Sequence, residues 1–394
     1  MPKINIHNAY HYALCFLAFS LSFPSTLFPV GIASLAITAI ILRFKEKNTQ
    51  IDRRMTLFYV VIFAYIALRV IGNEDVRYGL RVLERNLPLL LVPLLILPNK
   101  IKQPKDLYCS FVLGISLASI ITLIGVGYDQ FIIVKEEPTW YFSAIEDYGF
   151  HATYMAMYAL VGIVMLSERK LFTQTKTIAI STLLSLFVLF SSSRMALIVL
   201  LLLLVIKAIS SGKKIFYYGL ALVGVILIAA FSFSEDFRFK INQLKDFQGF
   251  THYDNNNYGS VSVRVAKIKA STMLWNENKW LGKGTGDTRE ALVQKYRSKE
   301  IECWPCARER YNSHNQYLNV LAAYGIVGLF LFGAWITYLL ITAWKGNNKL
   351  LLGVLFIFLM ISLTESILEA QRGVILVFLL LYYLPLAKRI EDGE

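Results

Sequence analysis

Charge is what this sequence has least of: 17% of its 394 residues are charged, while 56% are apolar. Soluble domains carry roughly 25% charged residues, so a single water-soluble domain is excluded. Cysteine is scarce as well, with four residues in all. Cys303 and Cys306 stand together in CWPC, and Cys15 and Cys109 fall in apolar runs. No second Cys or His pair follows at metal spacing, so a zinc site is not indicated, and a thioredoxin-like domain for redox work is missing. For the CWPC pair two readings stay open, a local disulfide and two free thiols. The glycines of GKGTG, Gly282, Gly284 and Gly286, match neither a dinucleotide fingerprint nor GxxxxGK[ST]. They suit a tight turn. No cofactor is expected.

What is present in quantity is long apolar sequence. Stretches such as 195–206 and 326–343 contain no Lys, Arg, Asp or Glu, and several approach the roughly 20 residues that span hydrocarbon. About twelve spans are expected, near 10–23, 27–42, 55–71, 86–97, 107–127, 149–166, 177–190, 195–206, 215–233, 316–343, 350–363 and 374–386. The expected fold class is therefore an all-α polytopic membrane protein. Residues 1–394 form one integral membrane domain, with an insertion at about 234–313 between spans nine and ten. No cleavage site follows Phe23, so the first span is expected to be retained.

The net charge of +13 has no nucleic-acid motif beside it. It is distributed as a topology signal. Alternate connections hold Arg43 to Arg54, then Lys100, Lys102 and Lys105, then Arg169, Lys170 and Lys176, then Lys207, Lys213 and Lys214, then Lys345 and Lys349, and finally Lys388 and Arg389. Positively charged loops stay cytoplasmic, so both termini are expected there. The opposite face then receives the acidic loop with Asp129, Glu136, Glu137, Glu146 and Asp147, the 191–194 turn, the long insertion and the 364–372 turn. Arg194, Arg264, His314, Glu365 and Glu369 all come out on that outer face, where they can share one cavity.

Several of these residues have a specific chemistry. Arg194 opens an apolar helix after three serines, and an anion there would be favoured by the guanidinium and the helix N-terminus together; alone, the arginine could snorkel to headgroups. Arg264 belongs to the long loop, where a lone arginine is commonly a solvated charge. His314 precedes the tenth span, flanked by Tyr311, Asn312 and Asn315; a neutral imidazole can take a hydroxyl proton while nearby amides orient ring or substrate. His7, His11 and His252 have no such setting, and His151 is a weaker candidate for the same cavity. Arg77, Arg81 and Arg85 fall at i, i+4 and i+8, on one helical face. That stripe either meets lipid phosphates or pairs with Glu74 and Glu84, or it binds a lipid-linked phosphate.

The combination of SSSRMA around Arg194, Arg264 ahead of Trp275, the WLGKGTG turn and HNQYLNVLAAYGIVGL resembles the O-antigen ligase and O-antigen polymerase superfamily. The element His314, Asn315, Leu318, Leu321, Gly325 and Gly328 is its most specific part. The resemblance implies a GT-C-like fold of about twelve helices in the cell inner membrane, with the long loop periplasmic. It implies an undecaprenyl-pyrophosphate-linked glycan donor, a lipid A-core or growing glycan acceptor, and metal-independent, inverting transfer. Arg194 and Arg264 match the family's essential arginines and His314 its essential histidine, with Arg77, Arg81, Arg85, Tyr311, Asn312 and Asn315 as substrate-binding candidates. The expected function is an O-antigen ligase. A polymerase using the same residues is the alternative, and a transporter a further one, although transport would place ionisable groups near mid-membrane. The CWPC insertion departs from the family pattern.

Overall fold

The structure is a computed structural model that describes residues 5–23, 27–46, 51–131, 151–191, 193–212, 260–393 and isolated positions between 214 and 224. Every regular element among these is helical: α1 (Ile6–Ser20), α2 (Leu27–Lys45), α3 (Arg53–Leu68), α4 (Val76–Asn86), α5 (Pro88–Leu95), α6 (Pro104–Phe131), α7 (Ala152–Glu168), α8 (Gln174–Phe190), α9 (Arg194–Ser211), α10 (Ser260–Glu277), α11 (Thr288–Arg297), α12 (Trp304–Arg308), α13 (Gln316–Lys345), α14 (Lys349–Ile361) and α15 (Gln371–Asp392). The ninth expected span, most of the acidic loop and the first part of the insertion lie outside the described residues. Stretches 27–45, 104–128, 316–345 and 371–392 are long and apolar enough to cross a membrane, and α7, α8 and α14 are shorter apolar helices.

Burial sorts these helices into centre and rim. Nearly every residue of α15 from Gly373 to Ala387 is buried, as expected of a helix that is apolar all round and packed on all sides. Tyr59 of α3 makes an edge contact with Phe378 at 5.4 Å and gives its hydroxyl proton to the Phe378 carbonyl. Tyr108 of α6 meets Tyr383, and the Tyr158 hydroxyl of α7 bonds the Arg372 carbonyl at 2.9 Å. Around this centre, α2, α3, α6 and α13 turn large apolar side chains outward, among them Phe44, Leu57, Ile124 and Phe330. Such a belt is stable in lipid, not in water.

The fourth expected span takes a different form. Pro88–Leu95 has 8 residues, about 12 Å of helix at 1.5 Å per residue, which does not cross hydrocarbon of about 30 Å. It continues α4 through Leu87, whose backbone is helical, but Pro88 has no N–H to give and Pro93 interrupts the ladder again. The arginine stripe thus occupies the first half of a broken helix.

The insertion has a second, small core. Ala266, Ala270 and Leu274 of α10 pack with Leu292 and Tyr296 of α11, with Ile301, Cys303 and Cys306, and with Ala322 of α13. Cys303 and Cys306 are joined by a disulfide.

The two cores are spliced at a break in α13. Gly325 has φ 64° and ψ −162°, a region only glycine occupies without strain. The break releases backbone groups that the 279–285 turn takes up. Lys283 and Gly284 donate to the Ala322 and Ala323 carbonyls at 2.8 and 2.9 Å, while Ile326 and Val327 donate to those of Lys279 and Trp280. Gly282, at φ 68°, lies so close that a Cβ would stand 2.4 Å from the Ala323 carbonyl carbon. The GKGTG turn is a backbone splice. It is tied further to α3, since Thr285 donates to the Arg69 and Ile66 carbonyls and Arg69 returns bonds to Leu281 and Gly282.

Gly325→Ala should destabilise the fold by about 1–3 kcal/mol from backbone strain alone, with added loss because its Cβ would lie 2.3 Å from the Trp280 oxygen. Thermal melting in detergent checks this; an unchanged melting temperature would count against the splice.

Candidate functional site

Above the bundle centre, four segments bring ionisable side chains together: the start of α9, the first half of α10, the 311–315 loop and the turn after α14. Arg264 and Lys267 are three residues apart on α10 and so share one helix face. Arg194 begins α9, near enough to Arg264 for the two charges to repel. Lys267 is 5% exposed, and its Nζ sits 3.7 Å from the centre of the Tyr311 ring. Burial pushes the Lys267 ammonium down to about 7, with Glu365 opposing and Arg264 reinforcing the shift.

His314 is set by its neighbours on both sides. Its φ is 43°, unusual for a residue with a Cβ, and Asn312 supports the turn by accepting the His314 N–H at 3.0 Å, as Asx turns do. The Tyr311 ring stands edge-on to the imidazole at 5.8 Å. Nδ1 lies 3.4 Å from the Glu365 carboxylate. Burial of Glu365 disfavours its charge, but the hydrogen bond and charge of His314, helped by His151 and Arg264, hold the carboxyl below its ordinary range. An ionised Glu365 orients the ring, and with Nδ1 as donor the lone pair is on Nε2.

Asn315 caps α13. Its side-chain oxygen accepts from Leu318 N and its amide donates to the Leu363 carbonyl, both at 2.9 Å. Gln316 reaches the other end of the same turn, accepting from Leu368 N at 2.8 Å. These bonds fix the acidic turn against the histidine loop. Glu369 belongs to a neighbouring network: Asn319 donates to it at 3.0 Å and Arg85 pairs with it at 2.8 Å.

The sequence-level candidates are thus separated. His314 and Arg264 come together with Glu365, Arg194 approaches Arg264, Tyr311 and Asn312 lie beside His314, and Asn315 is a helix cap. Arg85 turns inward to Glu369, away from Glu74 and Glu84. Arg77 and Arg81 remain exposed on α4, with Arg81 over the Tyr78 ring at 5.6 Å. His151 is the residue before α7, its ring against Tyr154 at 4.9 Å. Lys267 was missed, although its spacing from Arg264 was the available signal. Among the described residues no three His, Cys, Asp or Glu side chains are grouped as metal ligands would be.

Fold and site together define an all-helical membrane protein with a histidine–carboxylate pair beside clustered cations. Residues 179–333 match the family model described as O-Antigen ligase, so this stretch of the chain is similar to that family. The matched stretch contains Arg194, Arg264, Lys267, His314 and the Gly325 break, whereas Glu365, Glu369 and Arg85 lie outside it. No curated protein matches the chain.

Between pH 7 and Lys267's ordinary value near 10.5, the folded chain holds the neutral amine while the unfolded chain binds a proton, so stability rises with pH across that window. Melting temperatures from pH 7 to 9 should therefore climb more steeply in the native chain than in Lys267→Met. Parallel curves would show that Lys267 titrates normally.

Proposed function

We propose that the protein is a periplasm-facing glycosyltransferase of the inner membrane, built on a GT-C-like scaffold of about twelve spans. It moves a glycan from undecaprenyl pyrophosphate to a hydroxyl of lipid A-core, as an O-antigen ligase does. The observation that carries the reading is the His314–Glu365 pair placed beside Arg194, Arg264 and Lys267. The alternation of basic connections supports the periplasmic side.

The chemistry follows from these groups. The acceptor oxygen attacks the anomeric carbon from the face opposite the pyrophosphate, and His314 Nε2 takes its proton. As the C1–O bond breaks, its electron pair goes to the pyrophosphate oxygen. The guanidinium groups of Arg194 and Arg264 stabilise that charge through paired N–H donors, which makes a metal unnecessary. Lys267 adds a third positive charge whenever it is protonated, and an arriving anion favours that form. Glu365 steadies the imidazolium until the proton leaves. Inversion at C1 is the stereochemical result. Arg77 and Arg81 offer an entry surface for the lipid-linked phosphate.

The test is transfer by the purified protein in liposomes, with lipid-linked donor, with and without lipid A-core, in EDTA. His314→Ala and Arg264→Ala should each lose about 100-fold or more, the scale of a general base or a charge-stabilising donor. Glu365→Gln, which keeps the shape and removes the charge, should lose about tenfold to 100-fold at neutral pH. Longer lipid-linked chains formed without lipid A-core would reassign the enzyme as a polymerase, and full activity in His314→Ala would remove the base from the mechanism.

A further inference from the structure

A cavity of about 210 Å³ opens between α4, α11 and the first turns of α13, on the Glu369 side of the histidine loop. It is lined by Tyr78, Arg85, Arg289, Arg310, Asn312 and Asn319, with Glu369 as the acidic member. Three arginines face one carboxylate. Arg85 and Glu369 pair with each other at 2.8 Å, and the Arg85 guanidinium also hydrogen-bonds the Tyr78 side chain, so its charge is met within the fold. Arg289 is held over the Tyr78 ring at 5.4 Å and has no acidic partner among the described residues. Arg310 pairs with Glu290, both about half exposed, and an exposed pair of this kind exchanges readily for a better partner.

Size and neutral lining narrow the ligand. Pockets for drug-sized molecules are roughly 300–1,000 Å³, so this one suits a single ring. Its polar groups go beyond what an inorganic anion needs: Asn312 uses its side-chain oxygen on His314 N and keeps its amide hydrogens for a hydroxyl, and Asn319 lies alongside. Asn312 is also two residues from the base, so a ring held here is a unit of a substrate at the site of transfer.

We propose that this cavity binds one anionic sugar unit, a phosphorylated sugar or a uronic acid, of a glycan substrate. Its phosphate or carboxylate lies between Arg289 and Arg310, and its hydroxyls meet Asn312 and Asn319. The assignment to a substrate glycan rests on the glycosyltransferase reading, whereas the binding site stands without it. Glycan units without a negative charge would gain little here, which makes the cavity a determinant of which glycans are used.

The experiment is equilibrium binding of glucose 6-phosphate, glucuronate, glucose and inorganic phosphate to the purified full-length protein in detergent, followed by calorimetry or ligand-observed NMR. Glucose 6-phosphate or glucuronate should bind about tenfold tighter than glucose or inorganic phosphate, and Arg289→Ala should remove about tenfold, the worth of one charge-assisted hydrogen bond. Arg289→Lys should recover part of that loss. Arg308→Ala, an exposed arginine of the same loop outside the lining, should bind as the native chain does, and melting curves establish that each variant is folded. In the transfer reaction Arg289→Ala should raise KM for the substrate that carries the charged unit while kcat holds. A rise for the lipid-linked donor assigns the cavity to the donor's glycan, and a rise for the acceptor assigns it to the acceptor. Sugar binding unchanged in Arg289→Ala overturns the proposal, as does inorganic phosphate binding as tightly as the charged sugars. Because the binding arm requires no turnover, an enzyme that fails to transfer glycan leaves this result intact, and a failed binding arm leaves the transfer reading standing.

Discussion

Four backbone hydrogen bonds hold the 279–284 turn in the break of α13, and the seating of the insertion on the bundle depends on them. Lys283 and Gly284 donate into the helix and Ile326 and Val327 donate back, so helix and turn satisfy each other's unpaired groups. Without the turn, the break would leave carbonyls and N–H groups at the membrane boundary with no internal partner, a cost of several kcal/mol per group in hydrocarbon. Without the break, the insertion would have no seat. The rigidity of the first turns of α13 comes from this exchange, and Asn315, Gln316 and Asn319 of that segment then fix the histidine loop and the acidic turn around it.

Electrostatics explain why the site tolerates so many cations in one place. Arg194 and Arg264 repel, and Lys267 responds to burial and to Arg264 by shedding its proton more easily. Such a cluster makes this end of the site favourable to negative charge. Glu365 is the counterweight on the other side, kept ionised by His314, His151 and Arg264. The site thus sets a region rich in positive charge beside a paired histidine and carboxylate.

Much of this was legible in the chain. The apolar runs marked the helices, and the sidedness of Lys and Arg gathered Arg194, Arg264, His314 and Glu365 before any geometry was available. The resemblance to the O-antigen ligase and polymerase superfamily picked out Arg264 and His314. Other features depended on tertiary structure. A glycine in HNQYLNVLAAYGIVGL can sit inside a helix, and only the approach of the 279–284 turn explains a break at Gly325. Asn315 looked like a substrate ligand because caps and ligands use the same side chains. Arg85 looked like one of three equal surface arginines because helical periodicity gives a shared face, but it cannot say that Glu369, almost three hundred residues away, lies beneath one of them. Pro88 and Pro93 were visible in an apolar run whose length suggested a full span, and proline chemistry overrode length.

The near-complete burial of α15 bears on how the molecule is assembled. This helix touches α3, α4, α5, α6, α7, α13 and α14, and the ribosome makes it after all of them. The contacts that bury α15 can therefore form only once this last helix has been made, and the acidic turn that pairs with His314 leads directly into it.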